Sequence, residues 1–253
     1  MNWTEEFNKL SVDSPYAEAK SFKDIFSLDP IHFNFPHKLK QVKVCNQILY
    51  VLLINDLLLR IDLTKTSGIE EIDILSSKRT SYTERILNMF IDPTGRHAFF
   101  ASSTQELYYL NMRHQKPKNL SKWKGMIVTA IAFGPTPLEI DELEGSTLEL
   151  LVGTNTGAII ETVIEPTDEY FRREEKYLKQ VYQHEEEKPI LNIHYEYIVP
   201  KGSNTRSGPR LYWIAISFPS SSNILFDKVF LNGTQGMVLE AKYNSGARNS
   251  NEW

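Results

Sequence analysis

The stretch FIDPTGRHAFFASSTQELYYLN at 90–111 decides the fold class. Its DPTG segment at 92–95 suits a type I turn, because proline presets φ at the second position and glycine favours the fourth. Two apolar runs, HAFFAS and ELYYLN, flank the polar STQ at 103–105 and predict a β-hairpin. The preceding ERILNMFI (84–91) alternates like a strand, which predicts Ile86, Asn88 and Phe90 on one side and the intervening apolar residues on the other.

The same pattern occurs four times along the chain. Hairpin turns are predicted near Asn55, Thr104, Asn155 and Ser221, at a spacing of about 50 residues that a polar insertion at 200–210 lengthens in the last unit. Repeats of several short strands at this period are typical of β-propeller blades. The nearly continuous apolar runs at 48–54 and 57–63 predict strands covered on both faces, as between stacked blades. We expect an all-β protein, a β-propeller with about four blades; a β-sandwich is the competing fold.

The distribution of polar and apolar residues divides the chain into three parts. Residues 1–30 form a polar lead-in, residues 31–235 carry the β-propeller blades, and residues 236–253 form a polar tail. The alternation weakens at 167–187, where acid–base pairs four residues apart fit a solvated helix. For KYLKQVYQ within it we favour the outer strand of the third blade.

Composition excludes several classes of function. The formal net charge of −4 gives no reason to expect nucleic acid as a partner. Cys45 is the only cysteine, so neither an intrachain disulfide nor a cysteine-based zinc cluster can form within the chain. The longest apolar run, at 48–54, is far too short for a transmembrane segment, and the polar first residues lack the apolar core of a signal peptide. These features predict a cytoplasmic protein.

The polar residues show no catalytic pattern. Histidine occurs at six positions: His32, His37, His97, His114, His184 and His194. None belongs to an HExxH motif, and those at 97 and 194 fall in predicted strands, where a hydrogen-bonded structural role is expected. GTNTG at 153–157 and the serines at 102–103 and 220–222 are expected in turns, because they lack the frames of a Walker loop or a nucleophile elbow. We predict no catalytic, cofactor-binding or metal-binding residues and no enzymatic activity.

One charged segment offers a candidate for contact with a partner. KPKNLSKWKG at 116–125 gathers four lysines around Trp123 and could touch anionic lipid or an acidic protein, although a solvated loop between blades is the favoured interpretation. The acidic run at 185–187 is expected on a surface turn.

Several motifs occur in the order found in one known family. They are LLLRIDLTK (57–65), NMFIDPTGRHAFFASSTQELYYLN (88–111), WKG (123–125) and LLVGTNTGAIIETVIE (150–165). Together they resemble the Pep-three/deep-orange family, vacuolar protein sorting subunit eighteen, over roughly residues 30–230.

This resemblance implies the N-terminal β-propeller of a subunit in the class C core shared by the HOPS and CORVET tethering complexes. Its implied partners are other class C subunits and, through the assembled complex, SNAREs and Rab GTPases. The implied location is peripheral, on late endosome, lysosome or vacuole membranes, in vesicle-mediated protein transport and membrane fusion. No catalysis by the propeller is implied.

Family members continue through further blades, an α-helical solenoid and a cysteine-rich RING-type zinc domain. With about four blades, one cysteine and the polar end NSGARNSNEW, we expect this chain to be a fragment, a short isoform or a truncated product. An incomplete propeller of this kind would leave the edge of one blade unpaired and available to a partner.

Three hypotheses follow in order of preference. The first is a non-enzymatic scaffold or tethering module of the class C complexes. The second is a β-propeller interaction hub of another trafficking or coat complex. The third, an enzyme built on a propeller, requires carboxylates or histidines that converge at the central channel.

Overall fold

The computed structural model describes residues 34–65, 68–75, 84–134, 147, 149–165, 167–171, 178–198, 209–219 and 224–234, the last segment as backbone. The predicted lead-in at 1–30, the predicted tail at 236–253 and the turn at Ser221 lie outside these residues, so the three domain boundaries stay predictions. All described strands belong to one compact unit, which begins at His37. Within the described part of the chain, no helix is both long and apolar enough to cross a membrane.

The described strands form four antiparallel sheets, each a meander of consecutive strands. Blade I contains β1 (Leu39–Cys45), β2 (Ile48–Leu53), β3 (Leu57–Asp62) and β4 (Ile69–Asp73). Blade II contains β5 (Ile86–Ile91), β6 (His97–Ser102), β7 (Leu107–Asn111) and β8 (Lys118–Asn119). Blade III contains β9 (Val128–Ala132), β10 (Glu149–Thr154), β11 (Ala158–Val163) and β12 (Lys179–Gln183). Blade IV contains β13 (Asn192–Ile198), β14 (Pro209–Pro219) and β15 (Ile224–Thr234).

The sheets adjoin one another through their first strands. β1 contacts β5, β5 contacts β9, and β9 contacts β13, so the first strand of each blade lies innermost. This is the radial order of a β-propeller, here with four described sheets that do not close into a ring. The predicted all-β class and partial propeller are confirmed.

Local turn chemistry sets the hairpins where the sequence predicts them. The Gly95 amide donates to the Asp92 carbonyl at 2.9 Å, and Gly95 has a φ of +74°. Asp56 and Gln105 take positive φ at the β2–β3 and β6–β7 turns, and Gly157 does so in GTNTG. The glycine-rich segment is therefore a hairpin turn, as predicted.

Three apolar clusters fill the boundaries between neighbouring blades. The first joins blades I and II, the second blades II and III, and the third blades III and IV. Every residue of β6, β7 and β10 is buried. In β2 and β3, for which the sequence predicts cover on both faces, Tyr50–Leu53 and Leu58–Arg60 are buried, which confirms the prediction over those residues.

Strand β5 departs from the predicted alternation. Its pairing with β6 shifts between Ile86 and Asn88, so Leu87 is an extra residue in a β-bulge and is 43% exposed. Beyond the bulge the side-chain phase is reversed. Ile86 therefore packs in the blade I–II cluster with Met89, while Phe90 packs against the other cluster. The prediction that Ile86 and Phe90 share a side was wrong.

The segment with weak alternation contains the predicted outer strand. β12 covers Lys179–Gln183 and pairs antiparallel with β11, which confirms the strand for that half of KYLKQVYQ. Residues 167–171 are turn and coil, and residues 172–177 lie outside the described residues. The acidic run at 185–187 is an exposed turn, as predicted.

Candidate interaction surface

A groove of about 740 Å³ lies where three blades meet. Blade I contributes Arg60 and Glu70, and blade II contributes the β7–β8 turn with parts of its flanking strands. Glu169 and Tyr170, from the segment that follows β11, complete the lining. We call this the three-blade groove.

Arg60 fixes the blade I wall of the three-blade groove. Its guanidinium is buried and pairs with the carboxylate of Glu70 on the neighbouring strand. It also donates to the carbonyl oxygens of Asn111 at 3.4 Å and His114 at 3.3 Å. Because these carbonyls belong to blade II, one side chain from blade I holds the β7–β8 turn in place.

The blade III wall is tied to blade II through backbone carbonyls. The Tyr109 hydroxyl donates to the Asp168 carbonyl at 3.2 Å. The Lys118 ammonium donates to the carbonyl oxygens of Tyr170 at 3.2 Å and Phe171 at 3.4 Å. Phe171 is fully buried against the aromatic cluster between the two blades, where it anchors the segment.

His97 lies beneath this wall in a structural position. Its Nδ1 lies 2.8 Å from the Tyr109 hydroxyl oxygen. The two groups form a hydrogen bond, in which the ring tautomer determines which of them is the donor. Burial raises the pKa of Tyr109, which keeps the hydroxyl protonated. His97 therefore has the hydrogen-bonded structural role that its strand position predicts.

The rim of the groove combines aromatic and charged groups. The ring centroids of His114 and Tyr170 are 4.8 Å apart, and Arg113 pairs with Glu169. Four cationic side chains and two carboxylates line the groove, which gives a formal charge of +2 with histidine neutral. The formal charge of the groove is thus opposite in sign to that of the whole chain, which is −4.

The lysine-rich segment at 116–125 is not a single patch. Lys118 belongs to the short strand β8, and Trp123 is a fully buried core residue in a 3₁₀ turn. Lys116 and Lys118 line the three-blade groove, whereas Lys122 does not. Trp123 packs between blades II and III, so contact of this segment with anionic lipid or an acidic protein, which stays a prediction, involves its lysines and not the indole.

The remaining histidine predicted in a strand, His194, is on the exposed side of β13. Its Nε2 lies 3.5 Å from a carboxylate oxygen of Glu196, and both side chains are mostly exposed. It does not approach the three-blade groove. Sequence reasoning missed Arg60, although a cation inside the apolar run LLLRI is a recognisable signal of a buried charge that requires a partner.

Residues 24–244 match the family model of the Pep3/Vps18/deep orange beta-propeller domain. The chain belongs to this family. The Pep3/Vps18/deep orange match spans all four described blades, which confirms the resemblance carried by the sequence motifs.

Sequence similarity to curated proteins supports the same family. The chain is 36% identical over 160 residues to "Vacuolar protein sorting-associated protein 18 homolog" of Danio rerio, which covers 60% of this chain and 16% of that protein. It is 28% identical to "Vacuolar sorting protein 18" of Arabidopsis thaliana, over 53% of this chain and 13% of the relative. It is 27% identical to "Vacuolar membrane protein pep3" of Schizosaccharomyces pombe, over 69% of this chain and 18% of the relative. The matched part thus spans less than a fifth of each relative.

Proposed function

We propose that this chain is a non-enzymatic scaffold and tethering module in vacuolar protein sorting. It assembles with other class C subunits of the HOPS and CORVET complexes and, through the assembled complex, acts with SNAREs and Rab GTPases. Its place is peripheral, on late endosomal, lysosomal or vacuolar membranes. The observation that carries the proposal is the family match over residues 24–244, together with relatives named for vacuolar sorting.

The blade boundaries support a scaffold role. Buried tyrosines donate hydrogen bonds from one blade to the next. The Tyr50 hydroxyl donates to the Gly95 carbonyl at 2.5 Å, and the Tyr195 hydroxyl donates to the Glu149 carbonyl at 2.6 Å. Such bonds fix the relative orientation of neighbouring blades, because a buried donor is costly to leave unpaired. A fixed set of blades presents its turns to partners as one rigid surface.

The buried acidic groups support a structural role over a catalytic one. The Tyr108 hydroxyl lies 2.8 Å from a carboxylate oxygen of Glu84 and 3.0 Å from one of Glu106. Both carboxylates are buried, and each also accepts a hydrogen bond, from Thr104 and Asn119 respectively. These carboxylates hold the turns of blade II together. This structural role explains why they are buried, and no role in binding a substrate is needed.

Affinity purification tests the proposal. The tagged chain is expressed beside a tagged longer family member, and the proteins that co-purify are identified by mass spectrometry. Recovery of class C subunits with both baits is the expected result. Recovery with the longer protein alone would contradict an assembly role for this chain, and recovery of coat subunits instead would favour a hub in another trafficking complex.

A further inference from the structure

We propose that the three-blade groove is a docking site for an acidic peptide segment that carries an apolar or aromatic side chain. This peptide-binding activity goes beyond the scaffold role. It rests on the groove's own geometry and charge and does not require the assembled complex.

The cations of the groove have capacity for an incoming carboxylate. Among the described residues, Lys116 makes no hydrogen bond or ion pair, and its side chain is exposed. Arg113 is bonded to Glu169 through Nη1, so its other guanidinium N–H groups can donate to a ligand. A carboxylate can therefore bind at this rim without breaking the bonds that hold the groove together.

Apolar surface lies beside these cations. Met112 is 38% exposed and Tyr170 is 45% exposed, and both line the groove. The Tyr170 ring is held against His114, and its carbonyl accepts from Lys118. An exposed aromatic ring whose backbone and ring are both fixed loses little conformational freedom on binding, so it suits a peptide side chain.

The shape and charge favour a peptide over a membrane or nucleic acid. The groove is a recess between blades, whereas a bilayer presents a flat surface to a protein. The aromatic residue nearest in sequence to the lysines, Trp123, is buried and cannot insert into lipid. Glu70 and Glu169 line the recess, and a formal charge of only +2 is small for a surface that follows a phosphate backbone.

Fluorescence anisotropy tests the proposal with the full chain and a labelled peptide, Asp-Glu-Asp-Leu-Phe-Asp-Glu-Asp. Lys116→Glu should weaken binding about threefold to tenfold, since it replaces an attractive rim charge with a repulsive one. Tyr170→Ala should weaken binding by a similar factor through lost apolar contact. Lys122→Glu is the matched control: it makes the same charge change at an exposed lysine outside the groove and should leave the affinity within about twofold.

Several results would overturn the proposal. Undetectable peptide binding would do so, as would equal losses for Lys116→Glu and Lys122→Glu, which would indicate a general charge effect. Binding to phosphatidylserine vesicles that depends on Lys116, without peptide binding, would assign the surface to membranes. Circular dichroism and thermal melting of each variant separate loss of binding from loss of fold. The proposed function is tested separately, because subunit recovery in affinity purification does not depend on this peptide.

Discussion

Replacing Tyr212 with phenylalanine tests whether a charge-assisted hydrogen bond holds blades III and IV together. The Tyr212 hydroxyl donates to Oε1 of Glu149 at 2.6 Å, and both residues are at most 2% exposed. A hydrogen bond to a charged group contributes about 1.5–3 kcal/mol, so Tyr212→Phe should lower the free energy of unfolding by that amount. The unfolding equilibrium constant should rise about ten- to hundredfold. Phenylalanine keeps the ring, so no cavity larger than the hydroxyl results.

Tyr195→Phe provides the matched control on the neighbouring strand. Its buried hydroxyl donates to the backbone carbonyl of the same Glu149, also at 2.6 Å. Because that acceptor is neutral, the expected loss is smaller, about 0.5–1.5 kcal/mol. Urea unfolding, followed by circular dichroism and tryptophan fluorescence, measures both variants. A loss for Tyr195→Phe equal to or above that for Tyr212→Phe would show that the Tyr212–Glu149 hydrogen bond is not charge-assisted.

Three further predictions concern the core, a close approach between blades and a surface carboxylate. Trp123→Ala should cost about 3–5 kcal/mol of unfolding free energy in the same urea assay, because the fully buried indole leaves a cavity; a loss below about 1 kcal/mol would contradict its core position. Gly153→Val should lower stability by about 1–3 kcal/mol, since a Cβ there would lie 2.8 Å from Cγ2 of Ile190; a thermal melt that matches the parent protein would exclude this close contact. Hydrogen bonding from Lys65 lowers the pKa of Asp62 from 3.8 to about 2. The ionised Asp62 therefore stabilises the folded state above pH 3.8, and this contribution is lost as the pH falls through about 2. Lys65→Gln should raise that pKa in a carbon-13 NMR titration, and an unchanged pKa would show that the lysine is not the main donor.

The strands and hairpins could be predicted because each depends on a few neighbouring residues. The DPTG turn needs only a proline that fixes φ and a glycine that adopts a positive one, and both effects are local. Continuous apolar runs predicted strands covered on both faces, since a strand with one solvent-facing side requires alternation. The repeat of this local pattern about every 50 residues then predicted the propeller fold.

The bulge and the groove could not be predicted because each depends on contacts distant in sequence. Leu87 becomes an extra residue only through the register that β5 adopts against β6. The groove joins Arg60, Arg113 and Glu169, which come from three different blades. Nor does the sequence distinguish Trp123 on a surface loop from Trp123 in a core, since flanking lysines are compatible with both.

Buried and exposed polar groups at the blade boundaries have different roles, and this difference indicates where the chain can act. Arg60, Tyr109 and Glu149 are buried, and their hydrogen bonds join neighbouring blades. A ligand that competed for them would have to break bonds that hold the fold, at a cost of about 1–3 kcal/mol for each buried group left unpaired. Lys116 carries no such constraint, because its ammonium is exposed on a turn that Arg60 already holds. Binding energy is therefore available at the turns of the blades, where side chains can bind a partner while the boundaries beneath them stay intact.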